Sequence, residues 1–156
     1  MRTFGNIIWH FPFLGFLEAI SAYLLGCLFI ITIIGAPIGR GLIELAKFYL
    51  LPFERKMVRS SDVNTTSPST AWRGLSFIAM ILYLPFGIIF AIFTIIQIAG
   101  LFISIIGIPA GMALGKSLGT VLNPVGKECV SRAVGEEIER RKASEEVQRT
   151  IGTDSS

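Results

Sequence analysis

GLSFIAMILYLPFGIIFAIFTIIQIAGLFISIIGIPAGMALG, from Gly74 to Gly115, contains no Asp, Glu, Lys or Arg in 42 residues. A helix rises about 1.5 Å per residue, and about 20 apolar residues span a hydrocarbon core roughly 30 Å thick. The stretch is therefore long enough for one full membrane crossing plus re-entrant structure, or for two tight crossings. Soluble helices do not have such a composition, so this segment predicts an integral membrane protein.

The N-terminal part of the chain has the same character. Between Arg2 and Arg40 the only charged side chain is Glu18. The run from Ile20 to Ile34 is apolar apart from Ser and Thr hydroxyls. The N-terminal apolar stretch is far longer than the roughly 7 to 15 apolar residues of a secretory signal, and a second, longer one follows it. We therefore expect the first segment to stay in the mature protein as a membrane anchor.

An internal repeat organises the chain. Shifting the sequence by 72 positions places residues 31–58 on residues 103–130 without a gap, with ten of 28 positions identical. The shared positions include glycines and prolines, which fix backbone geometry and which apolar composition alone would not align. They are Gly35 with Gly107, Pro37 with Pro109, Gly39 with Gly111 and Pro52 with Pro124.

The offset divides the chain into four parts. The first repeat covers residues 1–58 and the second covers residues 75–130. Between them, residues 59–74 form a polar linker, rich in Ser and Thr like a solvated loop. Within it, Asn64-Thr65-Thr66 matches a glycosylation sequon, a tripeptide that is common by chance. Residues 131–156 mix basic and acidic side chains and predict a solvated, partly helical tail.

Each repeat predicts a transmembrane helix, a Gly-x-Pro-x-Gly break and a short amphipathic helix, in an all-α fold. The 22 residues from Gly15 to Ala36, and equally those from Gly87 to Ile108, make about 33 Å of helix and match the bilayer core. The proline then removes a backbone donor and the glycines permit a turn. Residues 39–51 have one apolar and one charged face and should lie along the interface. In the second copy, Gly115 and Gly119 favour close helix packing.

Positive charge indicates how the repeats lie in the membrane. The region from Arg40 to Arg73 holds six Lys and Arg and the region from Lys116 onward holds seven, so both should be cytoplasmic. An even number of crossings per repeat satisfies this rule and makes each repeat a hairpin. Its first arm would be the short apolar segment before Gly15, or in the second copy the segment that ends at a helix interruption at Pro85-Phe86-Gly87.

An apolar helix followed by T/S-I-I-G-x-P-x-G, an amphipathic stretch and a proline-containing turn occurs twice. The residues are 32–39 with 51–53 in the first copy, and 104–111 with 123–126 in the second. This pattern resembles the YccF inner-membrane component family, in duplicated form. The resemblance implies a small multi-pass protein of the bacterial inner membrane, or an equivalent plasma membrane, whose biochemical activity is not established.

The residue types give no support to an enzyme. The sequence offers no nucleophile with its base, no paired carboxylates and no cluster of metal ligands, and Cys27 and Cys129 are too far apart for a metal or redox motif. We therefore expect no catalytic site, no metal and no cofactor. The net charge is +3, and its basic residues cluster outside the apolar segments. That pattern suits anionic lipid headgroups better than nucleic acid, since no basic stretch is interleaved with aromatic residues.

The candidate site residues fall into two groups. The first is a set of hinge residues that shape the backbone: Gly35, Pro37, Gly39, Gly107, Pro109 and Gly111. The second is a polar pair, Glu18 and Arg40. An intramembrane carboxylate is a functional hypothesis by default, although Glu18 could also reach the headgroups. The free amides after the two prolines could hold an anion, strengthened in the first copy by Arg40, or the prolines and glycines could simply bend the chain.

Two functions remain open from the sequence. One is a structural or assembly subunit of a larger membrane complex. The other is an ion or anion channel, or a small-solute transporter subunit, that uses the two broken helices. The lipid bilayer is the expected partner in both. A homo-oligomer or a larger membrane complex is consistent with either, because two small modules bury limited helix surface.

Overall fold

The computed structural model describes residues 15–63 and 69–153, together with Ile7. The described chain is mainly helical, with a pair of short strands. In chain order the elements are α1 Gly15–Ile31, α2 Ala36–Leu50, β1 Arg55–Arg59, the short α3 Ser60–Val63, α4 Thr70–Ile103, a 3-10 turn Ile105–Gly107, α5 Ile108–Leu122, β2 Lys127–Ser131 and α6 Arg132–Thr153.

The first break in the helices lies before its proline and not at it. The Thr32 N–H donates to the Phe29 carbonyl at 3.2 Å, and the Gly35 N–H donates to the Thr32 carbonyl at 3.0 Å. The Thr32 Oγ1 hydroxyl also donates to the Phe29 carbonyl, at 2.8 Å. These short-range bonds end α1 before the predicted Ala36. Pro37 then lies in the first turn of α2, where a missing N–H breaks no helical bond.

The second break has the same arrangement. The Ser104 N–H donates to the Leu101 carbonyl at 3.1 Å, and the Gly107 N–H donates to the Ser104 carbonyl at 2.9 Å. Pro109 lies in the first turn of α5. Each of these residues stands 72 positions after its counterpart in the first break. The same offset relates both ends of α2 to those of α5, and both ends of β1 to those of β2.

The helix interruption expected at Pro85-Phe86-Gly87 is wrong, because α4 is a single helix of 34 residues that contains Pro85 in its interior. Helices in membranes tolerate proline where neighbouring elements support the backbone. Here α4 packs closely on α5 next to the proline: the Tyr83 hydroxyl donates to the Val121 carbonyl at 3.2 Å. A Cβ placed on Gly87 would lie 2.6 Å from the Leu122 carbonyl oxygen, so the two backbones nearly touch.

A two-stranded antiparallel ribbon joins the two halves of the chain, and the all-α prediction missed it. β1 pairs with β2 from Arg55 opposite Ser131 to Arg59 opposite Lys127, with Met57 opposite Cys129 at the centre. The counterparts of Arg55 and Ser131, 72 positions away, are Lys127 and Arg59, and these two residues are also paired. The pairing is therefore the same when the two strands are exchanged. A local twofold axis therefore passes between Met57 and its own counterpart, Cys129.

Helix α2 lies between an apolar helix and the ribbon. On one side it packs closely on α1, where a Cβ on Gly39 would lie 2.5 Å from the Gly26 carbonyl oxygen. On another side its Glu44 Oε2 accepts a hydrogen bond from the Cys129 N–H of β2 at 3.0 Å. The predicted apolar face is confirmed as buried; it consists of Leu42, Leu45, Ala46 and Tyr49.

The two long apolar helices, α1 and α4, run antiparallel. Near the end of α1 the ring of Phe29 lies 6.2 Å from that of Tyr83, and near its start Glu18 accepts a hydrogen bond from Gln97. The residue numbers therefore rise along α1 while those of its contacts on α4 fall. The outward faces of both helices are apolar and open: Leu28 is 61% exposed and Phe93 is 66% exposed.

Helix α4 has the length and composition of a membrane helix. Its 34 residues make about 51 Å of helix, more than the roughly 30 Å of a hydrocarbon core. Only 22% of its most apolar window is buried, whereas the core helix of a soluble protein would be mostly buried. Within the described residues it is the one helix that satisfies length and hydropathy together, and α1 is a shorter apolar helix.

The predicted close packing through Gly115 and Gly119 of α5 is wrong for the described part of the chain. A Cβ on either glycine would meet no atom within 4 Å. The tail is helical, as expected in part, and forms α6. Ion pairs from Glu139 to Lys56 at 2.7 Å and from Lys142 to Asp62 at 2.5 Å place α6 on the same side as the ribbon.

The ribbon register predicts that Met57→Cys forms a disulfide with Cys129. Residues opposite each other in an antiparallel pair have Cα atoms about 4.5 to 5.5 Å apart, within disulfide range. Burial raises the pKa of the Cys129 thiol, so a copper–phenanthroline catalyst is needed. In a Cys27→Ser background, maleimide–polyethylene glycol should find two thiols before oxidation and none after.

Val58→Cys in the same background is the matched control. Val58 lies opposite Glu128 and points to the other face of the ribbon, so both thiols should remain free after the same oxidation. Equal cross-linking of the two variants would contradict the register.

Candidate functional site

A cavity of about 910 Å³ lies where α2, the start of α4 and one end of the ribbon meet. Four separate elements, α2, β1, α4 and β2, bring basic side chains to its wall. These side chains, named here the basic cluster, are Arg40, Arg59, Arg73 and Lys127. The wall also contains two carboxylates, Glu44 and Glu128. The cavity is therefore the place where the chain concentrates positive charge between its two halves.

The position of Arg40 is fixed by an aromatic ring. Its guanidinium lies over the ring of Trp72, 4.8 Å from the centroid, in a cation–π contact. Trp72 itself is held in the first turn of α4, where its N–H donates to the Ser69 Oγ cap at 3.3 Å. Stacking uses the face of the guanidinium and leaves its edge N–H groups available to an acceptor.

The two carboxylates of the wall are already engaged. Glu44 pairs with Lys47 at 2.5 Å and also accepts from the Cys129 N–H. Glu128 accepts from the Ser60 hydroxyl at 3.2 Å. Across residues 15–63 and 69–153, no member of the basic cluster has a carboxylate oxygen within 4 Å. The basic cluster therefore makes no ion pair among the described residues, and the one attraction acting on Lys127, from Asp62, comes from beyond that distance.

The crowding of cations affects Lys127. Partial burial lowers the pKa of its amine, and repulsion from Arg59 lowers it further. Both effects disfavour the charged form of an amine. An anion in the cavity would act in the opposite direction, because it would favour the ammonium form.

The second polar group is Glu18, in the layer of apolar helices. Its Oε1 accepts a hydrogen bond from the Gln97 amide of α4, and its Oε2 is buried without a partner among the described residues. The sequence interpretation placed Glu18 without an acidic companion and overlooked Gln97. A signal was present, since Gln97 is the only side-chain amide between Gly74 and Gly115.

The structure does not bring the predicted hinge residues into one site. A Cβ on Gly35 would lie 2.6 Å from the Phe29 carbonyl oxygen, and a Cβ on Gly107 would lie closer still to the Leu101 carbonyl oxygen. Both glycines therefore serve the local turn. Gly39 faces α1, whereas a Cβ on Gly111 would make an ordinary contact of 3.5 Å with Phe102.

Of the predicted candidates, Pro37 and Arg40 lie together at the cavity, and Pro109 is exposed in the other half. Glu18 lies near the opposite end of the α1–α2 pair, since Gly39, one residue from Arg40, packs against Ile30 at the far end of α1. The two candidate polar residues thus belong to separate places. His10 and Trp9, and the Asn64 sequon, lie outside the described residues.

An exposed apolar layer beside a charged ribbon is typical of a membrane protein. A family model of the YccF inner membrane component domain matches residues 4–55, which include all of α1 and α2. Searches of curated proteins and of solved structures gave no significant match. The match to an inner membrane component agrees with the exposed surface of α4, which carries no charge from Gly74 onward, and both indicate a membrane protein.

Proposed function

We propose that the chain is a structural component of the inner, or plasma, membrane that supports the assembly of a larger membrane complex. The observation that carries this proposal is the filled junction between the two halves. Ile38 of α2 is 1% exposed, and Leu114 and Ser117 of α5 are 1% and 0% exposed. Gly41 lies directly against the Pro124 carbonyl. A conducting path between the halves would have to cross this packed region.

We also infer that the chain contains two copies of one YccF module. The support is the offset of 72 positions, which the helix breaks, α2 with α5 and β1 with β2 all share. The self-symmetric pairing around Met57 and Cys129 is what a duplicated module with a local twofold axis would produce. The multi-pass topology expected from the sequence is a proposal of the same kind, and labelling tests it.

Conduction of an ion or small solute is the second candidate. It is favoured by one observation, the intramembrane Glu18 whose Oε2 lacks a partner among the described residues. The Gln97 contact instead gives Glu18 a structural role, since it links α1 to α4 between the two halves. The absence of enzymatic activity, of a cofactor and of a nucleic-acid partner stays a prediction, as does assembly into a homo-oligomer or larger complex.

Flux measurements separate the two candidates. Proteoliposomes containing the wild-type chain should show the same chloride, nitrate and proton flux as protein-free liposomes. Flux in the wild type that Glu18→Leu or Arg40→Gln abolishes would support conduction and overturn the structural proposal.

A double-mutant cycle tests the structural role of Glu18 directly. Glu18→Leu or Gln97→Leu alone leaves a polar partner unpaired among the apolar helices, and each should lower the free energy of unfolding by about 1 to 2 kcal/mol. The double variant should recover most of that loss, measured by unfolding in mixed micelles. Strictly additive losses would contradict a structural pair.

A further inference from the structure

We propose that the cavity between α2 and the start of α4 binds the headgroup of one anionic phospholipid. The proposal rests on the basic cluster, which comes from α2, β1, α4 and β2 and which the described carboxylates leave unpaired. It holds whether the chain is structural or conducting. Its test is separate from the flux assay.

The wall of the cavity offers the chemistry that a phosphodiester needs. The Arg40 guanidinium lies over the Trp72 ring, and its planar fork of N–H donors matches two phosphate oxygens. Arg73 follows Trp72 on the first turns of α4, and Lys127 enters from the ribbon. Charge-assisted hydrogen bonds to phosphate are about twice as strong as neutral ones. A zwitterionic headgroup would bring its own cation into this cluster and gain less.

The lower wall of the cavity favours a lipid over a soluble anion. Phe77 and Met80 of α4 line it below the basic cluster. Phe77 is 60% exposed, and it continues at helical spacing into Ile81 and Leu84, which are 55% and 49% exposed. Residues at such spacing share one face of a helix. An acyl chain leaving the cavity would thus find a continuous apolar track on α4.

The site occurs once in the chain, although the fold around it is repeated. In the second half the counterpart of Arg40 is Met112, and the counterpart of Arg59 is Ser131. Lys116 of α5 is the nearest basic residue on the equivalent helix, and it lies exposed outside the cavity wall. One headgroup per chain is therefore expected, and Lys116 offers a matched control for loss of one positive charge.

The test is a binding measurement on the full chain in a non-ionic detergent. Phosphatidylglycerol and phosphatidylcholine are titrated separately, and bound lipid is counted by native mass spectrometry. One phosphatidylglycerol should bind per chain in preference to phosphatidylcholine. Each basic residue near an anionic headgroup contributes about fivefold in affinity, so Arg40→Gln should weaken binding about fivefold and Arg40→Gln with Arg73→Gln about 25-fold. Lys116→Gln should change it less than twofold.

Arg73→Gln alone is the variant that should fold normally, because Arg73 is exposed at the start of α4 and makes no described ion pair. It too should weaken phosphatidylglycerol binding about fivefold while the variant stays monodisperse. Excess inorganic phosphate should fail to displace the lipid. Displacement by inorganic phosphate would assign the cavity to a soluble anion, and equal binding by the double variant and the wild type would place the lipid elsewhere. Either result overturns the proposal.

Discussion

Gly41→Ala is expected to lower the free energy of unfolding by about 2 to 3 kcal/mol, the largest effect of any single methyl group considered for this fold. Gly41 is buried in the first half of α2, and an added Cβ would overlap the Pro124 carbonyl of the other half. A backbone atom cannot turn away as a flexible side chain can. The two halves would have to separate locally, which would also disturb the burial of Ile38 and Leu114.

Gly115→Ala is the matched control for that substitution. Gly115 also lies inside a helix, and a Cβ there would meet nothing within 4 Å, so alanine should stabilise α5 by up to about 1 kcal/mol. Both variants are compared by unfolding in mixed micelles of non-ionic detergent and dodecyl sulfate. A Gly41→Ala protein as stable as Gly115→Ala would show that α2 and Pro124 are not in contact.

The repeat itself makes position 41 informative. The counterpart of Gly41 is Ala113, which carries a methyl group and is nevertheless buried. From the sequence, the offset of 72 positions predicted which helices and breaks the two halves would share. It did not predict where they would differ, since Gly41 meets Pro124 only after both halves have folded against each other.

The helical part of the fold was largely predictable because it rests on local patterns. Apolar runs, a proline near a helix start and the amphipathic face of α2 are visible in neighbouring residues. The ribbon was not predictable in this way. Each strand has only five residues, and its partner stands more than 60 positions away, so its stability comes from long-range pairing rather than from the strand's own composition.

The candidate site was predictable only in part for the same reason. Arg40 was a candidate because it follows Pro37 in the sequence. Arg59, Arg73 and Lys127 come from other segments, and nothing in their local sequence shows that they meet around one cavity. Glu18 was identified as the single charge in an apolar run, while its partner Gln97 belongs to the other half.

Cysteines introduced at Ser61 and Ser144 are expected to react with a membrane-impermeant maleimide from the same, cytoplasmic side. The background is Cys27→Ser with Cys129→Ser, so that each protein has one thiol. Ser61 precedes Asp62, which pairs with Lys142 of α6, and Ser144 lies on α6 close to that pair. Both should be protected in intact cells and labelled fully in inverted vesicles. Labelling from opposite faces would show that the halves are inverted in the membrane.

The expectation that Ser61 and Ser144 share one face of the membrane follows from the position of the ribbon. α2 and α5 run antiparallel, since Gly41 meets Pro124 near one end and Tyr49 shares a hydrogen bond with Ser117 toward the other. Upright helices would therefore send Leu50 and Leu122, the last residues of α2 and α5, to opposite faces of the bilayer. The ribbon between them would then carry its charges into hydrocarbon at a cost of several kcal/mol. Strongly tilted helices avoid this cost.

Tilt would also account for the length of α4, because an apolar helix of about 51 Å exceeds the core thickness and would relieve the mismatch by leaning over. Ile33→Cys, in the turn after α1 and 82% exposed, measures the depth that the tilted layer reaches. If the apolar layer stays inside the bilayer, this thiol should resist impermeant maleimide from both sides and react with a permeant one. Labelling of Ile33→Cys from outside intact cells, with Ser61→Cys still cytoplasmic, would instead show that α1 crosses the whole membrane.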